Sequence, residues 1–362
     1  MTPSSHAETP MIRQYKAIKA NHQDAILFFR MGDFYEMFFE DAKTASRELS
    51  LTLTGRGKEE NRIPMCGIPH HAADNYVKRL VLKGYKVAIC EQVEDAVAPK
   101  TLAKREVVKI VTPGTAISHD VVAADENNFL VGIAKIPKSG HFAVSYVDVS
   151  TGEFKLFTCD THASLRGQLD KLDAKECVLD DTLSLDLPNI LINRVTIKST
   201  SEADRKLARF FDIQSLDTFG IGHLVDAYPT AWALIDYLET TQKNALPQIN
   251  TLLPHNLDET LYIDPHSIQN LELTRCVHTQ EKQGSLFWVL DHTKTAMGGR
   301  RLNRAIKNPS VSLDEITDRL DAVDQLKTDL LSREEIRDIL THVYDLERLL
   351  SKIVSHHHNP RD

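Results

Sequence analysis

The 362-residue sequence predicts a multidomain chain, α/β over its first two thirds and α-helical over its last third. Three observations carry this. Short apolar runs alternate with helically spaced ones up to about residue 115; three strand-like runs with short turns between them follow from about residue 125; beyond Leu261, apolar residues recur at three- and four-residue steps.

Thr9-Pro10 is a fitting N-cap and first-turn pair for a helix whose apolar face is Met11, Ile12, Tyr15 and Ile18. Residues 26–29 read as a buried strand that turns through Gly32-Asp33 into an amphipathic helix over 37–49. Residues 51–53 and 87–90 read as strands and 74–82 as a helix. Residues 107–111 form a last strand, stopped by Pro113-Gly114.

The next region reads as an antiparallel meander: 129–136, a turn over 137–140, 142–149, then 153–157 after Ser150-Thr151-Gly152. A helix over 162–172, a strand over 176–179 and helices through Leu238 complete it. In the last third, Ser312-Leu313-Asp314-Glu315 and Ser332-Arg333-Glu334-Glu335 are capping-box sequences. They precede the apolar stripes Leu313, Ile316, Leu320, Val323, Leu326 and Ile336, Ile339, Leu340, Val343, Leu346, each of which needs a partner surface. The organisation expected is therefore a first domain over 1–115, a linker over 116–124, a second domain over 125–245 and the start of a helical domain over 246–362.

No stretch approaches eighteen consecutive apolar residues, and the polar N-terminus lacks the layout of a signal peptide, so a cytoplasmic protein with no membrane contact is expected. Cys66, Cys90, Cys159, Cys177 and Cys276 form no C-x-x-C pair and read as reduced core residues. The net charge of -8 argues against bulk coating of nucleic acid, but residues 1–120 hold 17 Lys and Arg against 15 Asp and Glu. A nucleic-acid-facing surface would thus lie in the first third, the acidic remainder serving as scaffold or protein-contact surface.

A phosphate-cradling loop, G-x-x-x-x-G-K-[ST], is absent from the sequence; Gly55-Arg56-Gly57-Lys58 lacks both the earlier glycine and the hydroxyl residue. No ATPase activity and no cofactor are therefore expected of this chain. His356-His357-His358 would point in different directions on a helix and reads as no metal site. Asp148 reads as a strand-end turn residue, since no second and third carboxylate stand at strand positions to join it. Met297-Gly298-Gly299-Arg300-Arg301, with Arg304 and Lys307, reads as packing machinery more than as a basic patch.

Arg30-Met31-Gly32-Asp33-Phe34-Tyr35-Glu36-Met37-Phe38 opens a series of blocks. Ile63-Pro64-Met65-Cys66-Gly67-Ile68-Pro69-His70-His71-Ala72, Val87-Ala88-Ile89-Cys90-Glu91-Gln92 and the run from Arg105 to Thr115 follow. Far downstream come the run from Leu290 to Leu302 and Tyr344-Asp345-Leu346-Glu347-Arg348-Leu349-Leu350. In order and spacing these blocks resemble the MutS family of DNA mismatch-recognition proteins.

The resemblance implies a mixed α/β mismatch-binding domain, a ribonuclease-H-like connector and an incomplete helical core, in the N-terminal part of a longer protein whose ATPase, with ATP and magnesium, lies beyond residue 362. It implies that Phe34 is a wedge entering the minor groove at a mispair, where lost pairing and stacking make kinking cheap. Glu36 would hydrogen-bond the wedged base, accepting from thymine N3-H when ionised and needing a proton to face purine N7. Arg56 would contact the backbone or minor groove. Lys58 and Arg62 are basic neighbours with no assigned contact, and Met65 would pack beneath the wedge. The partners implied are mismatched duplex DNA, a MutL-type protein at the connector and, in the full-length family, a second copy, with a nucleoid-associated location. A metal-dependent nuclease or resolvase-like enzyme on the middle domain is the alternative; a truncated reading frame without independent function is a third.

Overall fold

The computed structural model describes residues 9–57, 62–93, 103–116, 123–243 and 245–354. Lys58, His356-His357-His358 and residues 117–122 of the expected linker lie outside them. The chain divides into two compact units, one holding the residues up to Ala116 with Leu238–Asn244, the other holding the rest.

In the first unit, Thr9 caps α1 (Pro10–Ala20) by accepting from the Ile12 N–H, as its position before Pro10 predicts. There follow β1 (Ala25–Met31), β2 (Phe34–Phe38), α2 (Phe39–Leu49), β3 (Thr54–Arg56), β4 (Ile63–Pro69), α3 (Ala73–Val81), β5 (Lys86–Gln92) and β6 (Arg105–Val111). The sheet order is β3-β4-β2-β1-β5-β6, antiparallel except for the β1–β5 pair.

Alternation along β2 sorts the two faces. Tyr35 and Met37 stand opposite Ile68 and Cys66, and the Cys66 thiol donates to the Ala42 carbonyl, so this face carries α2. Phe38 faces α1: the Tyr15 ring meets Phe38 edge-on at 5.0 Å and Phe29 at 5.6 Å. The Tyr15 hydroxyl donates to Asp41, which also accepts from the Leu27 N–H and Lys19.

Two expected elements form differently. The helix expected over 37–49 begins only at Phe39, because Gly32-Asp33 closes a two-residue hairpin with φ of 59° at Gly32, the glycine-first arrangement suited to strand twist. Five residues of strand therefore intervene, and the chain enters α2 at Phe39 through a φ of 54°. Residues 51–53 are not a strand. Ser50 ends α2 in the left-handed region and Leu51 is hydrogen-bonded back to Ser46, which delays the strand to Thr54. The Ile63–Pro69 strand went unread because its prolines mask the pattern.

The second unit opens with the expected meander, β7 (Phe129–Lys135), β8 (Phe142–Asp148) and β9 (Glu153–Cys159). Then come α4 (His162–Leu172), β10 (Glu176–Asp180), the unanticipated β11 (Leu191–Val195), α5 (Thr200–Phe210), α6 (Tyr228–Gln242), which belongs to this unit up to Tyr237, and β12 (Leu253–Pro254). The order is β11-β10-β7-β8-β9-β12, with β10 parallel to both β7 and β11. Gly132 on β7 lets the chain of α6 come close: a Cβ there would stand 2.9 Å from the Thr230 carbonyl oxygen.

The helical part comprises α7 (Pro265–Asn270), α8 (Leu286–Leu290), α9 (Ala296–Lys307), α10 (Leu313–Thr328), α11 (Leu330–Thr341) and α12 (Leu346–Val354). Ser312 caps α10 as expected. The second capping box is displaced: α11 starts at Leu330, Asp329 is its cap, and Ser332 lies inside the first turn, donating back to Asp329. The stripes of α10 and α11 are largely exposed.

Candidate nucleic-acid interface

Phe34, Glu36 and Phe38 share one face of β2, and α1 covers only the Phe38 end. Phe34 opens the strand beside the hairpin, between Met31 on β1 and Pro69 on β4, with 49% of its surface exposed. The residue that follows it is the anchor. Tyr35 is buried, packs against Phe28 and His70, and donates its hydroxyl to Glu91. The hairpin tip is tied down by the His70 N–H, which donates to the Asp33 carbonyl at 2.8 Å.

Glu36 stands opposite Gly67 on β4 and Phe29 on β1. Gly67 is exposed and carries no side chain; a Cβ there would touch the Tyr35 carbonyl oxygen at 3.5 Å and Glu36 Cγ at 3.8 Å. Burial lifts the Glu36 pKa above the ordinary carboxylate value, while the Arg56 guanidinium pulls it down. The Arg56 Nη1 lies 3.3 Å from Glu36 Oε2. By register Arg56 faces Ile63 and Glu36 faces Gly67, so the two are offset by about 13 Å along β4 at the usual rise. The pair therefore forms with both side chains extended, and at the half-exposed Arg56 it is worth about 0–1 kcal/mol.

The structure thus brings the three expected site residues onto one face, and it corrects their settings. Phe34 and Glu36 are strand residues, and α2 begins only at Phe39. Arg56 ends a strand. Met65 pairs with Phe38 and packs into the α1-side core, far along β4 from Pro69, the neighbour of Phe34. Arg62 folds over Gly55, where a Cβ would stand 2.3 Å from its Nε. Sequence reasoning missed Gly67; its place in a strand opposite Glu36 becomes visible only once β2 and β4 are paired.

Asp148 is fully buried, and its carboxylate accepts from Asn127 Nδ2, the Asn128 N–H, and the Ser150 N–H and hydroxyl. Glu176 is buried too, accepting from Asn193 and Tyr237. Among the described residues no group of three or more His, Cys, Asp or Glu could hold a metal ion. The 297–301 block is likewise structural: Arg300 is buried and bidentate to Asp345 at 2.7 and 2.8 Å, and it donates to the Ala124 carbonyl. Among the described residues no helix is long and apolar enough to cross a membrane.

Three family models match the chain: MutS domain I over residues 9–120, MutS domain II over 128–250 and MutS domain III over 266–362. This chain belongs to the MutS family. Proteins named DNA mismatch repair protein MutS match 98% of it: that of Lachnoclostridium phytofermentans at 42% identity, that of Acetivibrio thermocellus at 41% and that of Staphylococcus aureus at 40%. The chain spans only 39–42% of the length of these relatives and corresponds to their N-terminal part. In MutS terms, β1 to β6 with the Phe34 and Glu36 face lie in domain I, the meander sheet in domain II, and the Arg300 cluster in domain III.

Proposed function

We propose that this chain reads mismatched or looped-out bases in duplex DNA, as the sensing part of DNA mismatch repair, with Phe34 wedged at the kinked site and Glu36 bonded to the base. One observation carries the reading: a half-exposed ring and a half-buried carboxylate stand two residues apart on one face, past the end of the covering helix. An intact base step resists unstacking by a few kcal/mol and a mispair by less, so a fixed ring discriminates by deformability. A carboxylate already lifted by burial takes up a proton more readily, which purine N7 requires.

The middle sheet supports a ribonuclease-H-like connector, with a three-stranded meander extended by two parallel strands beside its first strand. Its buried carboxylates are taken up by structural donors, which disfavours a nuclease. A MutL-type protein at this domain, a second copy of the chain, and ATP and magnesium handled outside residues 1–362 complete the proposal. Calorimetry with ATP and magnesium should show no saturable heat, and micromolar binding would overturn that division of labour.

The test of DNA reading is competition between a duplex carrying one mismatch and its matched counterpart, at low fixed salt where phosphate contacts are strongest. A 2-aminopurine beside the mispair should brighten on binding as its stacking is lost. Equal affinity for both duplexes, with no brightening, would refute the proposal.

A further inference from the structure

The contact between Arg56 and Glu36 puts the two polar groups of the proposed site against each other before any DNA arrives. On this face β4 presents Met65, Gly67 and Pro69, β1 presents Phe29 and Met31, and β3 presents Arg56. Arg105, which approaches from β6, lies over the Phe29 ring and is engaged by the Arg30 carbonyl and Gln14. Among the described residues, Arg56 is thus the cation whose charge acts on Glu36.

We infer that Arg56 is a positioning residue that works through Glu36: its guanidinium holds the carboxylate in the free protein, and on DNA it passes to a backbone phosphate and leaves Glu36 to the base. This rests on the mismatch reading above. Three features make the exchange easy. The contact uses one guanidinium nitrogen at 3.3 Å, both side chains are stretched to make it, and Arg56 sits half-exposed on a three-residue edge strand. A phosphate offers the same guanidinium a bidentate, charge-assisted partner. Opposite Glu36, Gly67 leaves room for the base edge that replaces the guanidinium.

The exchange has a protonic consequence. While paired, Glu36 is held toward its ionised form; once Arg56 leaves, burial is no longer opposed and the carboxyl binds a proton more readily. Binding of a purine mispair should therefore consume a proton, and affinity should fall as pH rises. An arginine that touched only phosphate would weaken matched and mismatched duplexes alike and leave the pH slope unchanged.

The experiment uses the whole chain, its Glu36 carboxyl carbon followed by NMR titration, and binding to a G·A-mismatched and a matched duplex between pH 6 and 8.5. Arg56→Gln should raise the Glu36 midpoint in the free protein and flatten the pH slope for the mismatched duplex. Arg56→Lys should restore both, and Glu36→Gln should abolish the slope. An unmoved midpoint in Arg56→Gln, or a slope as steep as in the unsubstituted chain, overturns the latch while leaving the mismatch reading intact. A midpoint that moves as expected with no preference for the mismatched duplex would instead overturn the mismatch reading.

Discussion

Truncating Phe34 and Phe38 separately distinguishes a ring kept for DNA from a ring kept for the core. The two share one face of β2, four residues apart, and differ in what covers them. Phe38 is fully buried and stacked edge-on against Tyr15, so Phe38→Ala should cost about 3–5 kcal/mol of domain stability. Phe34 is half-exposed; complete burial of a phenylalanine contributes about 1.5–3 kcal/mol, so Phe34→Ala should cost about 1 kcal/mol. The expected loss on mismatched DNA is of a different kind: a stacking ring contributes about 1–3 kcal/mol per base, or roughly five- to a hundred-fold in affinity, with little change on matched duplex. Urea melts give the first pair of numbers and duplex competition at fixed salt the second. If Phe34→Ala destabilised the domain as much as Phe38→Ala, or lost equal affinity for both duplexes, the ring would be packing and the wedge assignment would fail.

Arg300→Ala breaks a buried bidentate pair and should lower the unfolding free energy of the second unit by about 3–5 kcal/mol; a loss below about 1 kcal/mol in urea titration would refute the burial argument. Burial raises the Asp345 pKa, but the Arg300 hydrogen bonds outweigh it and hold the carboxyl below the usual range. The stability this gives is present above the unfolded value and lost as pH falls through the folded one, so Arg300→Ala should blunt the acid limb of a pH–stability profile. Asp148→Ala leaves four donors without their acceptor and should cost about 3 kcal/mol or more, with Asp148→Asn intermediate; two harmless substitutions would reopen a catalytic role. Glu36 binds its proton more tightly folded than unfolded, so its carboxylate costs stability as pH rises through the folded pKa. Glu36→Gln should therefore gain more at pH 7 than at pH 4, and thermal melts in the opposite order would contradict the shift.

Most elements were legible because local signals and burial agree. Thr9-Pro10 starts α1 and Ser312 caps α10 as read, and the meander follows its turns. The failures share a cause, which is information supplied by a neighbouring strand. Residues 34–38 look like a turn running into a helix from 37 until β1 and β4 pair with both edges, and Pro64 and Pro69 hide β4. Ser332 matches a capping box, yet Asp329 accepts its N–H three residues earlier and wins. Within the second unit, the blocks at 290–302 and 344–350 were legible as a resemblance but not as chemistry. Their arginines meet the 123–127 segment, Arg300 at the Ala124 carbonyl and Arg348 at those of Ala123 and Glu126, and Arg304, just past the first block, meets Asn127. No periodicity announces contacts that span 170 residues or more.

The misread hairpin is also what makes a wedge mechanically reasonable. Driving a ring into a base stack requires a support that does not yield when a few kcal/mol push back. Phe34 on a turn before a helix would have one covalent tether on each side and little else. On β2 it sits in an interior strand of a six-stranded sheet, paired with Met31 on one side and Pro69 on the other. The next residue, Tyr35, is locked beneath by Phe28, His70 and Glu91, and the tip is held by the His70 N–H. A force on the ring is therefore opposed by the whole sheet. The cost of yielding then falls on the DNA, where it depends on whether the base step is intact, and that dependence is the discrimination the proposed function needs.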